Sequence, residues 1–417
     1  MKLLRWQWNY FRKIEVTETS ESDTIQILQG LVLDIEQKNK MLVLFPTIKT
    51  IVALTGRYMP SLPYPKKAID LLDEAVAYVK SLREKVVLPQ HIVKIISDKT
   101  QIPVGRPEEE EQSTLLNLEN LIHQRIINQE EAVKEIAIAM RRSRVGISSK
   151  KRPIGVFLFL GPTGVGKTET AKALADIYFS RQGIDQPKEN MIRLDMSEFQ
   201  SLQDVPRLIG AVSPVEQQGL LTTSVRENPF SLVLMDEIEK AHPDMLNLFL
   251  QVFDEGHITD GQGRKVVFTN TIIICTSNAG AESIFKLVES GTAIDKDNLL
   301  SGIFEKRIFR PEFVNRFDAV VIFHPLTKEN LLKIAGLMFE TLAKNLKEKD
   351  IELITSNALM EKVVTLSYKP QYGAREMRRV MQDKIENSIA QAILQKKIKK
   401  GDKIDINPET FKINLIK

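Results

Sequence analysis

The spacing of hydrophobic positions changes texture along this chain. Residues 64–85, "YPKKAIDLLDEAVAYVKSLREK", repeat apolar side chains every three or four positions, with Pro65 suited to a first helical turn. The same spacing returns from Leu115 to Arg144. Between them a less regular stretch ends in "RPEEEEQ" (106–112), an acidic run that reads as a solvated linker or a helix start. Beyond residue 150 come short apolar runs rich in β-branched residues: "GVFLFL" (155–160), "MIRLDM" (191–196), "SLVLM" (231–235), "TIIICT" (271–276) and "AVVIF" (319–323). Helical stretches separate most of them. Apolar strands without polar alternation, interleaved with helices, predict a mostly parallel sheet covered on both faces. After His324 and Pro325 the pattern is helical to about Lys400, and "KIDIN" and "FKINLI" predict a short strand-like tail. The chain therefore reads as a central α/β domain between a helical N-terminal part and a smaller C-terminal domain.

Composition narrows the function classes. Its 417 residues allow more than one core, and 43% hydrophobic with 27% charged residues is a globular composition. A net charge of +4 from 58 basic and 54 acidic side chains gives no electrostatic case for a nucleic-acid partner. The single cysteine, Cys275, cannot build a disulfide framework and reads as a small apolar member of a buried strand. The five histidines show no metal-ligand spacing. No apolar run approaches the roughly 20 residues that cross a bilayer. The basic, aromatic start "MKLLRWQWNYFRKIEV" has no small-residue cleavage site, so a cytoplasmic protein without a membrane partner is expected. Its aromatic residues, Trp6, Trp8, Tyr10 and Phe11, are expected to pack internally.

Chemistry enters at "GPTGVGKT" (161–168), directly after the strand "GVFLFL" and before the helical "TETAKALADIYF". Glycine, four residues, then Gly-Lys-Thr in a strand–loop–helix setting is a phosphate-binding loop. The backbone of Gly161, Pro162, Thr163, Gly164, Val165 and Gly166 curls so that successive N–H groups face a phosphate, and the following helix adds its N-terminal partial charge. Lys167 neutralises phosphate oxygens, and Thr168 offers a hydroxyl to Mg²⁺. The strand "SLVLM" runs into Asp236 and Glu237. At the carboxyl end of a parallel sheet, where ligands bind, Asp236 suits Mg²⁺ and Glu237 suits the proton of an attacking water. "TIIICTSN" ends in Asn278, whose amide suits the same water or the γ-phosphate.

These motifs, with "MIRLDMSEF", "LVLMDEIEKAHPDMLNLFLQVFDEGHITDGQGR", "TSNAGA", "FRPEFVNRFD", "IFHPLT" and "YGAREMRRV", resemble the second ATPase module of the Clp family of AAA+ protein-remodelling ATPases over roughly residues 115–417. "SESDTIQILQGL" (20–31) and "RYMPSLPYPKKAIDLLDEA" (57–75) are similar to the tail of that family's first module. The resemblance implies three parts: a remnant of the first module's small helical domain (1–105), an AAA+ P-loop three-layer α/β domain (106–325) and a small helical/β lid domain (326–417). It implies an ATP-hydrolysing enzyme with Mg²⁺. By the same resemblance Ile126 and Ile127 of "RIINQ" line the adenine pocket, with Asn128 where the family usually has glycine. Arg316 of "FVNRFD" matches an arginine finger that reaches a neighbouring subunit's nucleotide, and Arg375 of "GAR" matches a sensor arginine on the γ-phosphate of its own subunit. An arginine acting in trans implies a ring, by family analogy a hexamer.

The sequence also departs from the family. It contains no second phosphate loop, so one ATP site per chain is expected. The segment "RLIGAVSPVEQQGLLTTSV" (207–225) occupies the place of the substrate-gripping pore loop, but is shorter and has no aromatic residue between Phe199 and Phe230. Val212 or Val215 is a weak substitute for that ring, and threading of polypeptide through a ring is not expected. Between Asn278 and Arg310 no apolar-glycine-apolar docking loop occurs, so no peptidase partner is expected. Two functions compete: protein remodelling driven by ATP hydrolysis, and an ATP-binding regulatory or scaffolding subunit without threading.

Overall fold

The structure is a computed structural model, which describes residues 18–59, 62–100, 109–145, 151–179, 190–212, 217–369 and 372–416. The aromatic start and Val215 lie outside the described residues. The chain forms two compact units, one ending at Pro107 and the other starting at Glu108.

In the first unit, helices α1 (Glu21–Asn39), α2 (Phe45–Tyr58), α3 (Lys66–Ser81) and α4 (Pro89–Thr100) surround a small core. Two-residue strands β1 (Leu42–Val43) and β2 (Val86–Val87) pair in parallel beside them. Ser20 caps α1 by accepting from the Asp23 N–H. The periodic stretch near residue 64 becomes α3, which buries Ala68, Leu71, Leu72, Ala75, Val76 and Val79, one continuous helical face.

The second unit opens with α5 (Glu109–Leu116), α6 (Leu118–His123) and α7 (Glu130–Arg144). The single helical stretch expected from Leu115 to Arg144 is thus broken, because Asn128 and Gln129 both take positive φ, 64° and 71°. Asparagine tolerates that left-handed conformation better than most residues.

The central sheet contains β3 (Gly155–Leu160), β4 (Met191–Asp195), β5 (Leu232–Asp236), β8 (Ile272–Ser277) and β9 (Ala319–Ile322) in the order β4-β5-β8-β3-β9. Every pairing is parallel. Both faces are covered, which is why these strands read as unbroken apolar runs. Val156, Leu158 and Leu160 face one cluster with α10 (Leu220–Glu227) and α11 (Pro243–Glu255). Phe157 and Phe159 face the other, with α6, α7 and α8 (Lys167–Phe179). Cys275 is fully buried beside Met235, and burial pushes its thiol pKa far up, so it is inert packing.

Between β4 and β5 lies the short helix α9 (Val205–Ile209). The antiparallel hairpin β6 (His257–Thr259) and β7 (Lys265–Val267) follows α11, and α12 (Ala281–Glu289), α13 (Lys296–Glu305) and α14 (Pro311–Val314) lead to β9. The remainder is a small domain: α15 (Lys328–Lys347), α16 (Asn357–Ser367), α17 (Arg375–Val380) and α18 (Asn387–Leu394) pack on a three-stranded sheet. In that sheet β10 (Glu352–Ile354) runs parallel to β11 (Lys403–Ile406), and β12 (Ile413–Ile416) antiparallel to β11.

Candidate nucleotide site

The phosphate loop leaves the carboxyl end of β3 and enters α8 through three positive-φ glycines, Gly161, Gly164 and Gly166. Gly164 shows why glycine is required. A side chain there would overlap the Tyr372 carbonyl of the small domain, and the Gly164 carbonyl accepts from the Ala374 N–H at 2.9 Å. The turn that leads into Arg375 therefore touches the phosphate loop through its backbone. The Arg375 side chain is exposed.

Lys167 is 8% exposed. Its Nζ donates to the Pro162 carbonyl at 2.9 Å and to Asn278 Oδ1 at 2.9 Å, so β8 and the phosphate loop share one cation. Burial lowers its pKa to about 8, partly offset by Glu239, Asp236 and Glu237. Thr163 is also within 3.4 Å of Asn278 Oδ1. Thr168 is half-buried in the first turn of α8.

Asp236 ends β5, and its Oδ2 accepts from Arg193 of the adjacent β4 at 2.7 Å. Glu237 then turns left-handed, φ 55° and ψ 50°, which swings its side chain off the strand's alternation. The two acids thus leave β5 in different directions. Asn278 follows β8, and its N–H donates to Glu239 Oε1 at 3.0 Å. Ile126 is buried and Ile127 half-buried just before α7.

Arg316 stands apart from this group. "FRPEFVNRF" places Phe309, Phe313 and Phe317 four residues apart; Phe309 stacks on Phe313, Phe313 meets Phe317 edge to face, and Phe313 and Phe317 pack against Phe253. This wedge holds the segment at the amino end of β3. There Arg152 donates to the Arg316 carbonyl at 2.6 Å and to Asp318 at 3.0 Å, and Asp318 accepts from the Val156 N–H at 2.9 Å. The phosphate loop begins at the other end of this six-residue strand, about 20 Å away at 3.3 Å per residue. The half-exposed Arg316 guanidinium pairs through Nε with Asp254 at 3.2 Å.

Four further residues adjoin these groups although the sequence reading gave them no role. Arg193, Thr276 and Glu239 touch the acids or Asn278. Gln129, 1% exposed, donates to the Val165 carbonyl at 3.2 Å and the His324 carbonyl at 2.9 Å, and accepts from the His324 N–H at 2.9 Å. It ties the segment before α7 to the phosphate loop and to the entrance of the small domain. The only signals in sequence were position: Gln129 directly after "RIIN", Glu239 two residues after Glu237.

The residues present suit Mg²⁺. Asp236 and Thr168 are oxygen donors, and a hard cation that keeps most of its water needs few protein ligands. Mg²⁺ held there would supply charge neutralisation across phosphate oxygens.

The segment 207–225 is described except for residues 213–216. Gly210 ends α9 with φ 89°, and Ala211 pairs with Gln217 in an antiparallel bridge. The Gly261 N–H of the β6–β7 turn donates to the Ile209 carbonyl at 3.0 Å, pinning the loop base to the hairpin. Val212 is 61% exposed, whereas flanking Phe199 is 1% exposed beneath Arg207 and Phe230 packs on Tyr178 and Phe179.

A parallel five-stranded sheet with a phosphate loop, an acid pair at its carboxyl end and a small domain resting on that loop defines a P-loop ATPase of the AAA+ class. Family models agree: "AAA domain (Cdc48 subfamily)" matches residues 152–320, "C-terminal, D2-small domain, of ClpB protein" matches 326–406, and "AAA lid domain" matches 20–134. The chain is 36% identical over 467 residues to chaperone protein ClpB of Oceanobacillus iheyensis, covering 95% of this chain and 57% of that one. It is 38% identical over 442 residues to the ATP-dependent Clp protease ATP-binding subunit ClpE of Bacillus subtilis, covering 92% and 62%. A closed-state cryo-EM reconstruction of Hsp104 with ATPγS and FITC casein superposes with a TM-score of 0.81 at 32% identity, covering 97% of this chain and 70% of that one. An extended S. cerevisiae Hsp104:casein complex gives 0.82 at 33% identity, covering 98% and 71%. The chain belongs to the Clp family of AAA+ ATPases. It spans about three fifths of the length of these ClpB and ClpE relatives.

Proposed function

We propose that the chain hydrolyses ATP with Mg²⁺ and assembles with further copies into a ring, by family analogy six, that remodels protein substrates. The observation that carries this reading is the separation of Arg316 from its own phosphate loop by the length of β3. Phosphoryl transfer spreads negative charge over equatorial oxygens that an arginine stabilises. An Arg316 at the far end of the sheet serves that role only on a neighbouring copy. Within one copy, Lys167 and the loop amides bind the phosphates. Asp236 and Thr168 hold Mg²⁺, Glu237 takes the proton of the attacking water, Asn278 orients the γ-phosphate side, and Arg375 approaches it from the small domain. Ile126 and Ile127 flank the adenine. The Hsp104 relatives were solved with casein, which supports polypeptide as the substrate class.

A second reading, an ATP-binding scaffold without threading, is favoured by one observation. The segment in the pore-loop position exposes Val212, and both neighbouring aromatic residues are committed to packing. Steady-state ATPase activity beside ATP-dependent unfolding of a tagged reporter decides between the two. Remodelling requires both activities. Absence of turnover would establish the scaffold, and turnover that leaves the reporter folded would remove threading while keeping the ATPase.

A further inference from the structure

Thr276 is the one hydroxyl that bonds to both members of the Asp236–Glu237 pair among the described residues. It lies on β8, the strand beside β5, and is 1% exposed. A threonine hydroxyl has one proton to donate and lone pairs to accept with. Here Oγ1 donates to Asp236 Oδ1 and accepts from the Glu237 N–H at 3.2 Å. Those partners fix the direction of the hydroxyl, because its only proton is committed to the carboxylate.

The two bonds have separate consequences. The first occupies Asp236 Oδ1 and leaves Oδ2, already paired with Arg193, as the outward oxygen. The second anchors the amide of Glu237 in a left-handed conformation, φ 55°, which a residue with a β-carbon adopts only when its surroundings hold it there. Since that turn sets where the Glu237 carboxylate points, one buried hydroxyl fixes the relative placement of the metal carboxylate and the base. A threonine that merely satisfied a strand end would bond a single backbone group. This one bonds a side chain and an amide of two consecutive residues across the sheet.

We propose that Thr276 is a positioning residue for ATP hydrolysis, holding Asp236 in place for Mg²⁺ and fixing the turn that aims Glu237. This rests on the roles of Asp236 and Glu237 proposed above. Supporting groups of this kind typically change metal affinity or activity by about 10- to 100-fold.

The test compares Thr276→Val, which keeps the shape and removes the hydroxyl, with Thr276→Ser, which keeps the hydroxyl. Steady-state ATPase gives kcat and KM, and fluorescent-nucleotide binding is titrated with free Mg²⁺. The expected result for Thr276→Val is a kcat lower by about 10- to 100-fold with KM within about threefold. The Mg²⁺ midpoint of nucleotide binding should rise several-fold, and Thr276→Ser should restore both. Wild-type kcat and Mg²⁺ midpoint in Thr276→Val would overturn the proposal. So would losses in Thr276→Val that Thr276→Ser shares, since these would belong to packing. If the valine variant does not fold, Thr276→Ala against Thr276→Ser carries the same comparison. Glu237→Gln in parallel separates the two claims: undiminished turnover there would refute the acid-pair roles themselves, whatever Thr276 does.

Discussion

At the carboxyl end of β3, Lys167 is almost wholly buried and bonded to Pro162 of the phosphate loop and to Asn278 just after β8. At its amino end, Arg316 stands about half exposed on one ion pair with Asp254. Both are cations proposed to meet a triphosphate, Lys167 that of its own chain and Arg316 that of a neighbouring copy. The first is prebuilt inside a single chain, with its charge already countered by Asp236, Glu237 and Glu239. The second has its backbone clamped by Arg152 and the phenylalanine wedge while its guanidinium stays accessible. The contrast is between a cation fixed by buried partners within its own chain and one whose backbone is held while its guanidinium stays exposed, which is the arrangement the proposed trans role requires.

The largest expected effect falls at the outward end. Arg316→Ala should lower kcat by about 10³- to 10⁵-fold, the range for an arginine finger, while ATP affinity stays near wild type. Loss of affinity with unchanged kcat would place Arg316 in binding instead and dissolve the contrast.

A smaller effect is expected at the buried end from pH. Because burial lowers the Lys167 pKa to about 8, the ligand-free chain loses this proton as pH rises through 8. Phosphate binding favours the charged form, so ATP affinity should fall about tenfold between pH 7 and 9, with net proton uptake on binding at pH 8.5. Calorimetry in two buffers of different ionisation enthalpy measures that uptake. Affinity that does not change over this range would contradict a lysine held near 8.

The smallest effect belongs to the tether itself. Asp254→Asn weakens an ion pair whose partners are 49% and 39% exposed. Pairs of that exposure contribute about 0–1 kcal/mol, so kcat should change by no more than about fivefold. A loss as large as that of Arg316→Ala would mean the guanidinium needs Asp254 to act at all.

How much of this was legible beforehand follows from burial. β3, β4, β5, β8 and β9 were readable because strands covered on both faces are apolar throughout. The β6–β7 hairpin was not, because its three-residue strands carry polar side chains and its turn is made by Asp260 accepting from the N–H groups of Gln262 and Arg264. β10 interrupts the C-terminal helical pattern with only three residues. In the site, Lys167, Asp236 and Glu237 announced themselves through a local motif. Gln129, Arg193, Glu239 and Thr276 act through bonds to residues whose proximity only the fold creates, such as the 195 positions between Gln129 and His324. No periodicity encodes such pairs.

The central claim, that two copies share each hydrolytic site, is tested most directly by mixing two inactive variants. Glu237→Gln lacks the base but keeps its arginine, and Arg316→Ala lacks the arginine but keeps its base. If Arg316 serves the neighbouring copy, mixed assemblies contain competent sites, and ATPase activity should return on mixing in proportion to the mixed interfaces. If the mixture is as inactive as its components while the two variants demonstrably co-assemble, the site is complete within one chain and the account is wrong.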